Sequence, residues 1–331
     1  MTRMTFLEAI RQAQMEEMKR DRRVFLMGED LVCNIFGTTT GFVEMFGKDR
    51  VRDTPISEAG FVGAAAGASM VGMRPIVDLT IASFAYLATD QICSIIAKSR
   101  YLYGGQASVP LVLRMCMFYG NGAAAQHSDR PYPMFMGVPG LTIIIPSNPS
   151  DMKGLLKSAI RSDDPVLCFE DGTLWSGKSD VPDDDEFLVP IGVADVKRPG
   201  TDITLVAIGG SVPHAIKAAD SLSKEGISVE VIDPRTIAPM DYETILQSVN
   251  KTGRLVIADP AHRTCSVASE IAATVGEMGF GVLKAPIRRV TTPDTHIPFS
   301  ASLEKSLYPS RERIESAVRT VVSASIATRG S

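Results

Sequence analysis

Residue type and spacing first combine into chemistry in this 331-residue chain at a carboxylate that roots a glycine-lined helix. The stretch Asp53-Thr-Pro-Ile-Ser-Glu58-Ala-Gly-Phe-Val-Gly63-Ala-Ala-Ala-Gly67 reads as a turn around Pro55 that ends a strand, then a helix opening near Glu58. Taken alone, an acid in a first helical turn is an ordinary helix-start residue, favoured there by the helix dipole. Gly60, Gly63, Ala64 and Gly67 change that reading, because i, i+3, i+4, i+7 spacing places them on one face. Each helical glycine costs about 0.8–1 kcal/mol against alanine, so three together call for close approach of another backbone, most naturally a neighbouring subunit's helix. A carboxylate under such packing would be poorly solvated, which suits a proton donor better than a surface anion.

His127 is the second candidate. It lies in Gly120-Asn-Gly-Ala-Ala-Ala-Gln-His127-Ser128, a loop of small residues after an apolar run. Loops at the ends of parallel strands are where sites collect, although a single loop histidine is also an ordinary structural residue. Of the other three histidines, His214 sits at a helix start, while His262 in a strand-exit turn and His296 near Pro298 read as structural or local-loop residues. Gly209-Gly210-Ser211 follows a strand and opens a helix, but without the full GxGxxG spacing it reads as a tight turn rather than a phosphate cradle. No GxxxxGK[ST], HExxH or GxSxG pattern occurs.

The elements that must hold these residues alternate along the chain. Residues 24–28, 75–81, 110–116, 141–146 and 166–170 read as strands. Residues 84–103 and 149–161 carry helical periodicity, the second opened by Pro149. Residues 179–186, SDVPDDDE, are acidic and polar and read as an exposed linker. Beyond it strands are expected at 203–208, 228–232, 254–258 and 287–290, with helices at 212–224, 242–249, 267–278 and 311–322. Continuous apolar strands separated by helices predict an α/β chain of parallel sheets covered on both faces. Two three-layer domains follow, over residues 1–180 and 196–331, joined by a linker over 181–195.

Composition narrows the partners. Hydrophobic residues make up 45% and charged residues 22%, an ordinary globular balance, and a net charge of −4 offers no general attraction to nucleic acid or an anionic membrane. Cys33, Cys93, Cys116, Cys168 and Cys265 are far apart, with no CxxC, which fits reduced thiols in a cytoplasmic protein. The first 21 residues read as a charged amphipathic helix rather than a signal peptide. No run approaches the roughly 20 apolar residues of a membrane span, so a soluble protein is expected.

Several motifs, in order, then carry a resemblance. Gly28-Glu29-Asp30, DTPISEAG at 53–60, Gly72-Met-Arg-Pro-Ile-Val-Asp78, Ala97-Lys98, Tyr103-Gly-Gly-Gln106, Ala125-Gln-His-Ser128, Pro139-Gly-Leu141, Ile145-Pro-Ser147 and Asp233-Pro-Arg-Thr-Ile237 resemble the beta subunits of thiamine-diphosphate-dependent 2-oxo acid dehydrogenases. That family embraces pyruvate, branched-chain and acetoin-type enzymes, and AAAQHS…YPMF…PGL looks nearest the acetoin and pyruvate types. The resemblance implies a pyrimidine-binding domain followed by a transketolase C-terminal domain. It implies that Glu58 bonds N1′ of the cofactor's aminopyrimidine and favours the tautomer that takes up the thiazolium C2 proton. Phe84 matches the aromatic residue stacked on the pyrimidine, Glu29 a second acid facing the site, and Ile56 a further cofactor contact. His127 matches the histidine that assists acyl transfer to a lipoyl arm. Ala159, Ser162 and Asp164 fall on a loop that binds potassium in the family. The GDG motif that grips Mg2+ and the diphosphate is missing, so an alpha subunit is expected to bring it, in an alpha2beta2 assembly with a second beta subunit and a lipoyl acyltransferase as further partners.

The chain departs from the family pattern at three places. Asp129 and Arg130 follow Ser128 where the family reads Gln after His-Ser, Gly137 stands where a second histidine is common, and Ser162 and Asp164 replace Asp and Asn. These changes leave two other readings in view: half of a split transketolase-like enzyme that forms carbon–carbon bonds without lipoate, and a non-catalytic subunit. A dinucleotide-binding oxidoreductase would need a glycine fingerprint in the first βα unit, which is missing.

Overall fold

The computed structural model describes residues 1–324 as two compact units, Met1–Ile191 and a second beginning at Gly192. The division falls inside the span expected to be the linker.

In the first unit, strands Val24–Gly28, Val51–Asp53, Arg74–Ile81, Val112–Met117, Thr142–Ile144 and Val166–Asp171 pair side by side in parallel. Their spatial order starts at Thr142–Ile144 and runs through Val166–Asp171, Val112–Met117, Arg74–Ile81 and Val24–Gly28 to Val51–Asp53. Every residue of Val112–Met117 and Val166–Asp171 is buried, as a strand covered on both faces requires. On one face, helices Phe6–Arg20 and Pro149–Arg161 pack against each other and carry Phe6, Ile10, Met152 and Leu156 into the core. Both are sharply started. Thr5 and Glu8 form a reciprocal capping box, and Asn148 caps the second helix just ahead of Pro149.

Two expectations need correction. Residues 84–103 do not form one helix: a 3-10 segment at Ala82–Ala88, a π-helical turn at Gln91–Ile96 and a short α-helix at Ser99–Leu102 succeed one another. Hydroxyls compete for the helical carbonyls here, Thr89 Oγ1 bonding Tyr86 O at 2.8 Å and Ser99 Oγ bonding Ile95 O at 2.6 Å. Nor is 179–186 a free tether. Lys178–Val181 is a strand antiparallel to Thr2–Thr5, and Lys153 donates to the carbonyls of Pro182 and Asp184 at 3.0 and 3.3 Å. The acidic side chains of Asp183–Asp185 stay exposed while their backbone is fastened, because fully buried Lys153 and Lys157 need oxygen partners.

In the second unit the order is Arg288–Thr292, Leu255–His262, Ile203–Ala207, Val229–Asp233 and Asp195–Arg198, parallel except for the last strand. Helices Ser211–Ser223 and Arg311–Ser323 pack together, closing a core that includes Leu205, Val231, Val256, Leu222 and Val318. Gly209-Gly210-Ser211 is the tight turn expected, with Ser211 N donating to Ile208 O at 3.0 Å.

Candidate active site

Parallel strands all end at one edge of a sheet, and in the first unit that edge collects the candidate residues. Glu29 follows Val24–Gly28, Glu58 opens the helix after Val51–Asp53, Phe84 lies in the segment after Arg74–Ile81, and His127 closes the loop after Val112–Met117. The helix Glu58–Met70 and the short helix Ala124–His127 both pack against Ala82–Ala88, so the Phe84 segment joins the two halves of the site.

Glu58 is 4% exposed, as its place at the root of a packed helix led us to expect. Glu29 is close enough to feel its charge. Burial holds the Glu29 carboxyl above the usual carboxylate range, and the negative charges of Glu58, Asp30 and Asp78 push the same way. Gly28 lets the end of its strand lie against Arg74–Ile81, because a Cβ there would stand 2.2 Å from the carbonyl oxygen of Asp78. On the other side of the site, the Phe84 and His127 rings meet edge to face, with centroids 5.5 Å apart and planes at 88°. Ile56, two positions before Glu58, is 84% exposed and presents an apolar side chain outward.

Several buried side-chain atoms at the same edge have unmet hydrogen-bonding demand. Glu29 Oε1, Thr54 Oγ1, Thr80 Oγ1, Ser83 Oγ and Ser128 Oγ are buried without a hydrogen-bond partner among the described residues. Buried polar atoms left this way are costly, and a water or a ligand that bonds them would be stabilised there. An aminopyrimidine fits such a rim: it needs a carboxyl at a ring nitrogen, further polar atoms around its edge, and an apolar face to lie on.

Beneath the edge lies a cluster that the sequence reading missed. Arg114, 2% exposed, donates from Nε to Glu170 Oε1 at 2.6 Å and from Nη1 to Gln14 Oε1 at 2.9 Å and Asp78 Oδ2 at 3.1 Å. Asp78 Oδ1 accepts from Thr80 N at 2.9 Å, and Gln14 Nε2 donates to Thr38 O at 3.0 Å. One guanidinium thus ties three neighbouring strands to the helix Phe6–Arg20, and Gln14 carries the connection on to the loop after a fourth strand. Burial raises the Glu170 carboxyl and Arg114 opposes that shift. The signal was available: Asp78, Arg114 and Glu170 interrupt apolar strands expected to be buried on both faces, so they had to be paired with one another.

Ala159, Ser162 and Asp164 lie elsewhere, at the edge where the strands begin. The carbonyls of Ile160 and Ser162 accept from Arg74 Nη1 at 3.1 and 2.8 Å, Ala159 O accepts from Ser162 N at 3.1 Å, and Asp164 pairs with Arg100. Arg74 and Arg100 thus engage oxygens of Ser162 and Asp164, and the Ser162 amide engages that of Ala159, so the loop's oxygens are all bonded within the chain. Among the described residues no cluster of three or more His, Cys, Asp or Glu side chains could hold a metal. His262 Nε2 is engaged with Thr295 O at 3.0 Å, in keeping with a local loop role.

Known proteins share this organisation. A family profile described as the transketolase pyrimidine binding domain matches residues 2–174, and one described as the transketolase C-terminal domain matches residues 192–314. The chain is 44% identical to the acetoin:2,6-dichlorophenolindophenol oxidoreductase subunit beta of Bacillus subtilis (strain 168), over 93% of this chain and 94% of that one. It is 42% identical to the pyruvate dehydrogenase E1 component subunit beta of Rhizobium meliloti (strain 1021), over 97% of this chain and 70% of that one. Identity to the 2-oxoisovalerate dehydrogenase subunit beta of Bacillus subtilis is also 42%, over 96% and 98%. A solved structure described as a split gene transketolase, inactive beta4 tetramer, superposes with a TM-score of 0.79 at 23% identity, covering 95% of this chain and 97% of that one, and shows the same fold.

Proposed function

Because this chain belongs to the beta subunits of the thiamine-diphosphate-dependent 2-oxo acid dehydrogenases, within the transketolase-like superfamily, we propose that it supplies the pyrimidine half of the active site in an alpha2beta2 enzyme that cleaves a 2-oxo acid or acetoin and passes the acyl group to a lipoyl arm. One observation carries the reading: Glu29, Glu58, Phe84 and His127 gather at a single sheet edge together with the buried atoms that lack partners.

Thiamine diphosphate, when bound, supplies the electron sink for carbon–carbon cleavage. This chain's residues would hold its pyrimidine. Glu58 keeps a proton at N1′, Phe84 and Ile56 offer apolar surface to the ring, and Glu29 adds a second acid beside Glu58. His127, seated on Phe84, is placed to hand a proton to the acyl acceptor. We assign Mg2+ and the diphosphate grip to an alpha subunit, since the GDG motif is missing here, and the acyl acceptor to a lipoyl acyltransferase component. The reading does not depend on a potassium ion at Ala159, Ser162 and Asp164, where Arg74 and Arg100 would compete for oxygens of the loop. No helix among the described residues is long and apolar enough to cross a membrane, and free cysteines fit the reducing conditions of the cytoplasm, where we place the assembly.

The test uses the assembled alpha–beta pair with pyruvate or acetoin and a lipoyl-domain acceptor. Glu58→Gln is expected to lower reductive acylation by about 10²-fold or more, the scale of losing a positioned proton-handling group. A variant that works as well as wild type would sink the reading. The altered run His127-Ser-Asp-Arg130 keeps the split transketolase-like alternative in play. Turnover with aldehyde or sugar acceptors and none with lipoyl would favour it, and an assembled pair that never binds thiamine diphosphate would favour a non-catalytic role.

A further inference from the structure

The loop that carries His127 runs from the strand Val112–Met117 to the helix Tyr132–Met136, with the short helix Ala124–His127 inside it. Gly120 and Gly122 take φ values of 78° and 68°, and Ala124 takes 55°, a backbone state that L residues rarely adopt. Its two ends are tied to each other and to the neighbouring strand. Tyr119 is buried and donates its hydroxyl to Asp171 Oδ2 at 2.6 Å, while Asp171 Oδ1 accepts from Thr173 N and Oγ1 at 3.1 and 2.6 Å. At the far end Arg130, 4% exposed, lays its guanidinium over the Tyr119 ring, 5.2 Å from the centroid. The same guanidinium donates to the carbonyl of Ser128, the residue after His127. Asp129 and Arg130 also act on the phenol of Tyr86, in the segment that presents Phe84 to His127.

We infer that Arg130 is the positioning residue of His127, clamping the two ends of the 119–130 loop so that the imidazole stands against Phe84 where the acyl acceptor arrives. This rests on the acyl-transfer role proposed above for His127. Arginine suits the task because its planar head can stack on an aromatic ring and donate in its own plane at once, whereas an ammonium cannot do both. Arg130 belongs to the run in which this chain departs from the family pattern, so the clamp sets this chain's handling of its acceptor rather than its handling of the cofactor.

The experiment uses the assembled alpha–beta enzyme and two assays on one substrate. Reduction of 2,6-dichlorophenolindophenol reads cleavage without a lipoyl acceptor, and reductive acylation of a lipoyl domain reads transfer. Arg130→Met is expected to lower transfer by about 10- to 100-fold, the cost of misplacing a reacting group by about 1 Å, and to leave dye reduction within about twofold. Arg130→Lys, which keeps a cation, covers the case in which the methionine variant does not assemble, and should show the same split more mildly. With His127→Ala in place, adding Arg130→Met should cost nothing further. Equal losses in both assays, or losses that add to that of His127→Ala, would overturn the inference and leave the role of His127 standing. If His127→Ala alone leaves transfer unchanged, the reading of His127 fails and the inference fails with it.

Discussion

Glu29 makes a prediction that does not depend on turnover. Its carboxyl binds a proton more tightly in the folded chain than in the unfolded one, because it is partly buried and faces Glu58, Asp30 and Asp78. Between the ordinary glutamate value and the raised one, the folded state holds a proton that the unfolded state has lost. Folding stability from this group therefore falls as pH rises through that window. Glu29→Gln removes the titration, so the Tm of the variant minus that of wild type should grow as pH climbs from about 4 to about 8, measured by thermal unfolding. A difference that shrinks across that range would contradict the proximity of the two acids. At this scale the sequence was partly legible. Glu58 and His127 stood out through their neighbours, whereas Glu29 stands 29 positions before Glu58 and came only with the resemblance. Its closeness to Glu58 depends on the strands Val24–Gly28 and Val51–Asp53 pairing in parallel, which residue types alone do not state.

The elements show a second kind of constraint. Helix Pro149–Arg161 presses its Gly154 against the segment leaving the first unit, where a Cβ would lie 2.4 Å from Val189 Cγ2 and 2.9 Å from Val189 N. The backbone atom cannot swing aside as a side chain tip could. Gly154→Ala should therefore destabilise the chain by about 1–3 kcal/mol despite alanine's better helix propensity, a loss that urea unfolding would detect. An unchanged or raised stability would mean that the segment after the acidic run is free to move. Periodicity anticipated this helix because thirteen residues keep one turn geometry and their caps are explicit in Asn148 and Pro149. The same method failed over 84–103, where 3-10, π and α turns follow one another and no single period describes the apolar positions. Short pairings such as Thr2–Thr5 with Lys178–Val181 were likewise out of reach, since four residues carry too little pattern and their partner lies far along the chain.

At the scale of the whole molecule, the helix Glu58–Met70 presents one face to the site and core and leaves another open. Glu58, Phe61, Val62, Ala65, Ala66 and Ser69 are buried, while Ala59, Gly60, Ala64 and Gly67 are exposed. A Cβ added at Gly67 would meet nothing within 4 Å in the single chain. The chain by itself therefore gives no reason for glycine there, and glycine costs this helix about 0.8–1 kcal/mol against alanine. In the proposed alpha2beta2 enzyme the reason is external: a second subunit's backbone comes close to this face. Folding and assembly should then separate in Gly67→Leu. The isolated chain should keep or raise its Tm, because leucine is the better helix former and has open space around it. Mixed with the alpha subunit, the same variant should fail to reach the size of the wild-type assembly in light scattering, because a branched side chain holds the partner's backbone away. Gly67→Ala, smaller by three carbons, should weaken assembly less. A leucine variant that assembles normally would show that no subunit packs on this face. Lost assembly together with a lowered Tm would point to damage inside the chain. Only a raised or unchanged Tm with lost assembly ties Glu58, at the root of the same helix, to a site completed across an interface.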